Sequence, residues 1–402
     1  MASETVVLEG HIVDSLILAK VLDQILESGA EYEVVDFDMG RTNLDPSRAV
    51  IEVSTDDTDE LDRLLADLHQ HGVNRADMAD ARLEPCRVDG VLPAGFYATT
   101  NLETEVRTGG RWQAVVNPEM DCAVVVGDEV CTVPMHRVRA GDQVVIGETG
   151  VRVHPPRPAS GATVFEFMSS DVSSEKPKAL MTRRVAERMR SAHDRGARIL
   201  AVCGPAVVHT GGTPHLAKLV RAGWIDVLFA GNGFATHDIE SNVLGTSLGV
   251  SVERGSQTEG GHSNHLRVIN EVRRHGSIAA AVDVGYVGGG VMYECVQHGV
   301  PFVLGGSVRD DGPLPDVITD VVAAADEMRV KVAGVGLALM LATTLHAVAT
   351  GNLLPATVET FCVDINQAVV TKLADRGSHQ ARGIVTDVGP FLGDLAHELG
   401  AR

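Results

Sequence analysis

The chain has 402 residues, long for a single hydrophobic core, so two or three domains are expected. Apolar residues make up 44% and charged residues 22%, ordinary proportions for a soluble globular protein, and no stretch approaches the ~20 apolar residues of a membrane-spanning helix. The formal net charge of -20, with arginine more frequent than lysine, argues against a nucleic-acid partner, whose phosphates need a basic surface. Cys86, Cys122, Cys131, Cys203, Cys295 and Cys362 form no CxxC pair, and "MASETVVLEGHIVDS" lacks a basic region followed by an apolar one. Reduced thiols in a cytoplasmic protein are the expectation.

Residues 1–85 carry a strand–helix grammar. "TVVLEGHI" is strand-like, and "DSLILAKVLDQILESG" is an amphipathic helix with Asp14 or Ser15 as its cap and Gly29 as its stop. "EYEVVDFDMG" and "SRAVIEVST" read as strands, and "DTDELDRLLADLHQHG" as a second capped helix ending at Gly72. The order βαββαβ predicts a ferredoxin-like module, for subunit contacts or a small regulatory ligand. Residues 86–155 hold short β-rich runs split by Gly, Asp and Pro, a small β-rich domain. Its polar clusters, Thr99-Thr100-Asn101 and Asn117 to Asp121, suit either turn chemistry or a site. "HPPRPASGA" reads as a linker.

From 163 to 402, apolar runs alternate with helical patterns. "ARILAVCGPAVV", "DVLFAGNG", "IAAAVDVGYVGGG", "PFVLGGSVRDDG", "VGLALMLATT", "ETFCVDIN" and "GIVTDVG" each read as a buried parallel strand. The helical patterns between them include "TPHLAKLVRAG", "PDVITDVVAAADEMR" and "QAVVTKLADRG". The alternation predicts a doubly wound parallel sheet, with ligands along the edge where the strands end. The strand ends collect glycines, hydroxyls and carboxylates: Cys203-Gly204-Pro205, Gly231-Asn232-Gly233, Asp283-Val284-Gly285, Gly305-Gly306-Ser307, Thr343 to His346, Asp364-Ile365-Asn366 and Thr386 to Gly389. Glycines let a phosphate approach the backbone, helix N-termini offer free N–H groups, and Asp364 suits a ribose diol. Together they describe a nucleotide site.

"GYVGGG" is not GxGxxG, and "CGPAVVHTGG" carries Pro where a dinucleotide turn wants Gly, so an ordinary Rossmann βαβ is not supported. "EGGHSNHLRVINE" offers Glu259, His262 and His265 without an obvious further ligand, and no metal is expected. Cys203 and Cys362 suit core packing or a nucleophile. No GxSxG or P-loop occurs.

The blocks "HIVDSLILAKVLDQI", "MDCAVVV", "GNGFATHDIESNVLGTSLG", "GSVRDDGPLPDVITD", "TLHAVATGNLLP" and "VDINQAVVTKLADRGSHQARGIVTDVG" resemble the archaeal-type ornithine cyclodeaminase family, also described as lysine-oxoglutarate reductase/saccharopine dehydrogenase-like. The resemblance spans nearly the whole chain. It implies a ferredoxin-like module, a small β domain and a C-terminal NAD-binding domain similar to deoxyhypusine synthase. By that resemblance NAD is gripped by Asn232, Gly233, Asp311 (or its neighbour Asp310), Thr343, Thr344, Leu345, His346, Asp364, Asp387 and Val388.

The implied reaction turns L-ornithine into L-proline and ammonia without net redox change, NAD serving as a recycled hydride carrier. It needs a base near the substrate amine and a cation on the substrate carboxylate. Asp238 or His237 is the first choice of base and Asp121 the second, which would put the site between domains; Arg309 or Arg267 is the clamp. Three other readings stay open: an NAD-linked amino-acid or saccharopine-type dehydrogenase, a non-catalytic NAD-binding regulator, and a deoxyhypusine synthase-like transferase using Lys218, Lys331 or Lys372. A homo-oligomer with a small amino-acid substrate is expected.

Overall fold

The computed structural model of the protein describes residues 2–13, 15–41, 45–76, 79–155, 178–247, 250–251, 263–310, 312–375 and 381–401. The chain divides into two compact units, Met1–Ser170 with Leu354–Thr357, and Asp171–Leu353 with Val358–Arg402.

The first unit opens with β1 (Ala2–Gly10), α1 (Ile17–Glu27), β2 (Glu31–Asp38), β3 (Ser47–Thr55), α2 (Thr58–His69) and β4 (Val73–Arg75). The strands pair antiparallel in the order β2-β3-β1-β4, which is ferredoxin-like. Alternation sets Val6 and Leu8 opposite Ile51 and Ala49, and this face packs with Val21, Ile25, Leu61, Leu65 and Leu68 of the helices. Gly29 and Gly72 follow the helices in the left-handed region, φ +81° and +88°, as their stop role requires. The expected cap of α1 fails. The helix starts behind Leu16, itself left-handed and without a side-chain cap, Ser15 donates its hydroxyl backwards to the His11 carbonyl, and Asp14 lies outside the described residues.

The same unit continues with β5 (Arg82–Pro85), β6 (Thr104–Thr108), β7 (Arg111–Ala114), β8 (Ala123–Val126), β9 (Val130–Val133), β10 (Gln143–Ile146) and β11 (Val151–Val153). They form two small antiparallel sheets, β5-β10-β8-β9 and β11-β6-β7. The polar clusters here make turn contacts. The Thr99 hydroxyl meets the Glu119 and Cys122 carbonyls and the Cys122 N–H, Asn117 and Asp121 are left-handed, and Asn101 donates to the Leu354 carbonyl. Asn74 on β4 exchanges two hydrogen bonds with the Val153 backbone, at 2.9 and 2.7 Å, joining the ferredoxin-like part to the β-rich part. Most of the expected linker lies outside the described residues.

The second unit holds α3 (Lys178–Asp194), β12 (Arg198–Cys203), α4 (Ala206–His209), α5 (Thr213–Arg221), β13 (Val227–Gly231), α6 (Asn232–Leu244), a β14–β15 hairpin (Thr246–Ser247, Val250–Ser251), α7 (Asn264–His275), α8 (Ile278–Asp283), α9 (Val291–Gln297), β16 (Phe302–Gly305), β17 (Val317–Ile318), α10 (Val321–Lys331), β18 (Val335–Leu341), α11 (Leu345–Leu353), β19 (Glu359–Asp364), α12 (Gln367–Asp375), β20 (Ala381–Val385) and α13 (Val388–Glu398). Seven parallel strands run β17-β16-β13-β12-β18-β19-β20. Counting β12 as first, the six main strands follow 3-2-1-4-5-6, the doubly wound dinucleotide-binding order. The doubly wound expectation holds, and the doubt about a Rossmann arrangement is corrected: strand order follows the buried runs, which do not require the glycine fingerprint.

Two local expectations also change. "IAAAVDVGYVGGG" is no strand. Ile278–Asp283 is helical, with the Ser277 hydroxyl accepting from the Ala280 N–H, and Ile278, Ala281 and Val282 are buried at helical spacing. Alanine favours helix, so the short apolar run is read by its cap rather than its hydrophobicity. The pattern from Pro315 splits into β17 and a helix that starts only at Val321, where Asp320 caps two N–H groups.

His69 generates a pH prediction. Its Nδ1 lies 3.0 Å from the Val73 carbonyl oxygen, and its ring stands edge-on to Tyr97 with centroids 5.6 Å apart. Burial pushes its pKa from 6.5 down to about 4. Between those values the unfolded chain binds the proton and the fold does not, so the contribution is complete above pH 6.5 and lost as pH falls towards 4, up to about 3 kcal/mol. Denaturant titrations should show this decline, and His69→Gln should show a shallower one.

Candidate active site

In a sheet of this order the crevice opens between the carboxyl ends of β12 and β18. A Cβ on Gly204, after β12, would sit 1.9 Å from the Ala342 carbonyl oxygen, so only glycine lets the two turns approach. Ala342 is itself left-handed at φ +49°, an uncommon state for a residue with a Cβ. It launches Thr343 and the exposed Thr344, and Leu345 is 76% exposed. Asp364, the last residue of β19, accepts the Asn366 N–H on Oδ1 at 2.8 Å, beside Ile365, which is 74% exposed. Asp387 caps α13 by accepting from the Gly389 N–H at 3.0 Å. Val388 is buried and opens α13. The His346 ring lies over the ends of β13 and β16, where Cβ atoms on Gly231 and Gly305 would meet it at 3.3 and 3.6 Å. Burial lowers the pKa of that imidazole, Asp310 opposing.

These residues share one edge. Asp311 lies outside the described residues, and Asp310 is spent on its own turn, accepting from the Ser307 N–H at 2.8 Å. Asp283 ends a helix, not a strand, and leaves the group. Asn232 sits where a dinucleotide fold places its ribose carboxylate, after the second strand. Its side-chain oxygen instead accepts from the Leu314 N–H at 3.0 Å and the Thr236 hydroxyl at 3.3 Å.

The stretch "NGFATHDIESN" lies in α6, and its Asn232, Thr236, His237, Asp238 and Glu240 are buried. Asp238 is fully buried and accepts the first N–H groups of α9, from Val291 at 3.1 Å and Met292 at 2.8 Å. Burial raises its pKa to about 7, against the pull of those two donors. Both carboxylate oxygens of Asp238, expected with His237 as the first choice of base, are occupied by these N–H groups. The glycine run follows from the same contact. At Gly290, φ +97°, a Cβ would lie 2.5 Å from the Asn242 amide and 2.7 Å from the Asp238 carboxylate. "GGG" is thus a close approach between side chains and backbone, not a phosphate loop.

His237 behaves differently. Its Nδ1 lies 2.9 Å from Glu240 Oε2, and its ring neighbours His209 and His265, with centroids 5.1 and 6.3 Å away. Burial and the neighbouring His237 lower the pKa of His209, Glu240 opposing. The Thr246 hydroxyl donates to Glu240 Oε1 at 2.8 Å and accepts from the Asn264 amide at 2.9 Å, and His209 meets Ser247 Oγ at 2.7 Å. This network was missed in the sequence, where its one local signal is the His-x-x-Glu spacing of "HDIE".

Arg309, after β16, is exposed and has no ion-pair partner among the described residues. Arg267 is exposed on α7, and Asp121 is exposed on a turn of the other unit. Cys203 and Cys362 are buried core, and burial pushes the Cys362 thiol up to about 12, so neither suits a nucleophile. Among the described residues no three His, Cys, Asp or Glu side chains are grouped to hold a metal ion; Glu259 and His262 lie outside them. Lys218, Lys331 and Lys372 all lie on helices, not at strand ends, and no described helix is long and apolar enough to cross a membrane.

Three family descriptions tile the chain: the LOR/SDH bifunctional enzyme conserved region over residues 3–102, and the first region and Rossmann fold of the arginine dihydrolase ArgZ-like C-terminal part over 103–182 and 183–395. Ornithine cyclodeaminase of Methanopyrus kandleri is 51% identical over 98% of this chain and 97% of its own. The chain belongs to the archaeal-type ornithine cyclodeaminase family. Among solved structures, apo ArgZ, a cyanobacterial arginine dihydrolase of the ornithine-ammonia cycle, matches this family member with TM-score 0.85 and 36% identity over 99% of this chain and 58% of its own. The ternary complex of AgrE with ornithine and NAD+ matches at TM-score 0.55 and 41% identity, over 99% and 57%; the curated AgrE relative is the bifunctional arginine dihydrolase/ornithine cyclodeaminase of Nostoc.

The clamp around Asp238 predicts a contrast for this ornithine cyclodeaminase family member. Gly290→Ala adds a Cβ to a left-handed residue against two polar side chains, and should lower stability by about 2–4 kcal/mol in chemical denaturation. Gly288→Ala meets nothing within 4 Å and should change it by less than about 0.5 kcal/mol.

Proposed function

We propose that this protein is an ornithine cyclodeaminase of the cytoplasm, a lyase that converts L-ornithine into L-proline and ammonia with NAD as a recycled hydride carrier, acting as a homo-oligomer in proline formation. The observation that carries the reading is the carboxyl edge of a 3-2-1-4-5-6 sheet in a chain about half identical, end to end, to a named ornithine cyclodeaminase. The edge fits a dinucleotide. Gly204 allows a close backbone approach, α13 presents first-turn N–H groups to a phosphate, and Asp364 keeps one carboxylate oxygen for ribose hydroxyls. Thr343 and Thr344 add hydroxyls, while Leu345 and Ile365 offer exposed aliphatic surface to a planar ring. His346, with Gly233 beside Pro205, closes the β13 side.

When bound, NAD supplies the acceptor and later the donor of a hydride. The protein's own residues manage charge and protons. Arg309 is the exposed cation suited to the substrate carboxylate. His237 is the base, since Asp238 is consumed by α9. Taking a proton from the α-ammonium of ornithine frees the nitrogen lone pair that assists loss of hydride from the α carbon.

Purified protein given L-ornithine with heavy nitrogen on the α-amine, with and without NAD+, should yield unlabelled proline and labelled ammonia with no net NADH. Net NADH without proline would make it a dehydrogenase, and bound NAD without turnover a regulator. Asp364→Ala removes a charge-assisted hydrogen bond worth about 1.5–3 kcal/mol, so NAD binding should weaken roughly 10- to 100-fold by fluorescence titration.

A further inference from the structure

Glu240 has no place in the cofactor edge or in the clamp on α9, yet its side chain is completely buried. A buried carboxylate is costly unless its oxygens are satisfied, and here one accepts the Thr246 hydroxyl and the other faces His237 Nδ1. The proton positions follow from the chain of donors. The Asn264 amide donates to Thr246 Oγ1, so the hydroxyl hydrogen points on to Glu240 Oε1. A carboxylate only accepts, so the His237 hydrogen sits on Nδ1 and its lone pair on Nε2. No other described residue holds Nε2.

We propose that Glu240 is a positioning residue for the reaction: it fixes His237 in the tautomer whose Nε2 is basic and supplies the counter-charge when that ring takes a proton. The proposal rests on the ornithine reading above. In the step concerned, an N–H bond of the α-ammonium breaks and an Nε2–H bond forms. The substrate loses one positive charge and the imidazole gains it beside Glu240, and the same proton returns to the amine nitrogen as it leaves as ammonia. No electrons move between protein and substrate. The groups facing His237 among the described residues are Glu240 on its own helix, His209 at the end of α4 and His265 on α7. Two of these are imidazoles, which makes Glu240 the one anion among them. Thr246 and Asn264, from the hairpin and α7, hold the carboxylate in place, the arrangement by which an acid–imidazole pair orients a base.

The test is the pH dependence of proline formation from ornithine by full-length protein saturated with NAD+, for wild type, Glu240→Gln, His237→Gln and the double variant, with NAD binding and thermal unfolding measured alongside. Glu240→Gln should lower kcat at least about 100-fold while KM for ornithine and NAD binding stay within about threefold. The acid limb of its kcat profile should move to lower pH by about one unit, because the imidazolium has lost its counter-charge. The double variant should be no worse than His237→Gln alone, since the two residues act as one unit. If Glu240→Gln lowers the unfolding temperature but keeps kcat within threefold and the limb in place, or if the two losses multiply, Glu240 is only a structural anchor and the proposal is overturned. Should that variant not fold, Thr246→Val, which loosens one carboxylate oxygen and spares the contact with His237, must still lower kcat, by up to about tenfold, without raising KM; an unchanged kcat overturns the proposal equally. Absence of proline from the wild type would remove the ornithine reading itself, before any variant is compared.

Discussion

The second unit depends on the buried carboxyl group of Asp238. Asp238 lies wholly inside the protein, where an isolated carboxylate would be prohibitively costly. It persists because α9 begins at that point: two N–H groups with no partner in their own helix, at its positive dipole end, are aimed at the two oxygens. The contact is made from the second turn of α6 to a segment more than fifty residues later, so it fixes α6 against the rest of the face. Along the same helix Asn232 holds Leu314, Asn242 meets the glycine turn before α9, and Glu240 holds Thr246. The helix is an anchoring rod: Asn232, Asp238 and Glu240 are buried, and each accepts from a backbone N–H or hydroxyl of another segment.

That anchoring frees the opposite class of residue. After β18, β19 and β20 the turns carry Thr344, Leu345, Ile365 and one oxygen each of Asp364 and Asp387, side-chain groups with no partner among the described residues. Parallel strands are hydrophobic on both faces, so chemistry is expelled to their ends, and the reversal of strand order between β12 and β18 decides which ends form a crevice. The close approach of Gly204 to Ala342 is how this chain brings the two halves together without the usual glycine fingerprint. A chain that keeps the sheet order and drops the motif is legible through buried runs rather than through a motif search.

Most elements were readable because their signals are local. The alternation of β1 and β3 and the i, i+4 spacing of Val21 and Ile25 predict their elements directly. So do the glycine stops at Gly29 and Gly72 and the long apolar runs of β12, β13 and β18. The errors share a cause. In "IAAAVDVGYVGGG" hydrophobicity cannot tell a strand from a buried helix, and the cap at Ser277 had to decide. The start of α1 failed because Ser15 spends its hydroxyl on His11 rather than on a forward N–H. In the site, residue type was legible and partner was not. Asp238 and His237 are adjacent in sequence, and nothing in the letters says that one is sealed against α9 while the other faces Glu240.

What the sequence alone determined is therefore the periodicity of the elements, the doubly wound class, the family, and the set of strand-end residues available for chemistry. These follow from hydrophobic spacing and local turn chemistry, both written within a few residues. What only the tertiary structure decided is the division of labour among the polar groups. A carboxylate becomes a clamp, a base or a base's support according to which N–H, hydroxyl or imidazole the fold brings to it from far along the chain, and burial then makes that choice binding because an unsatisfied charge there would cost more than the fold can offset.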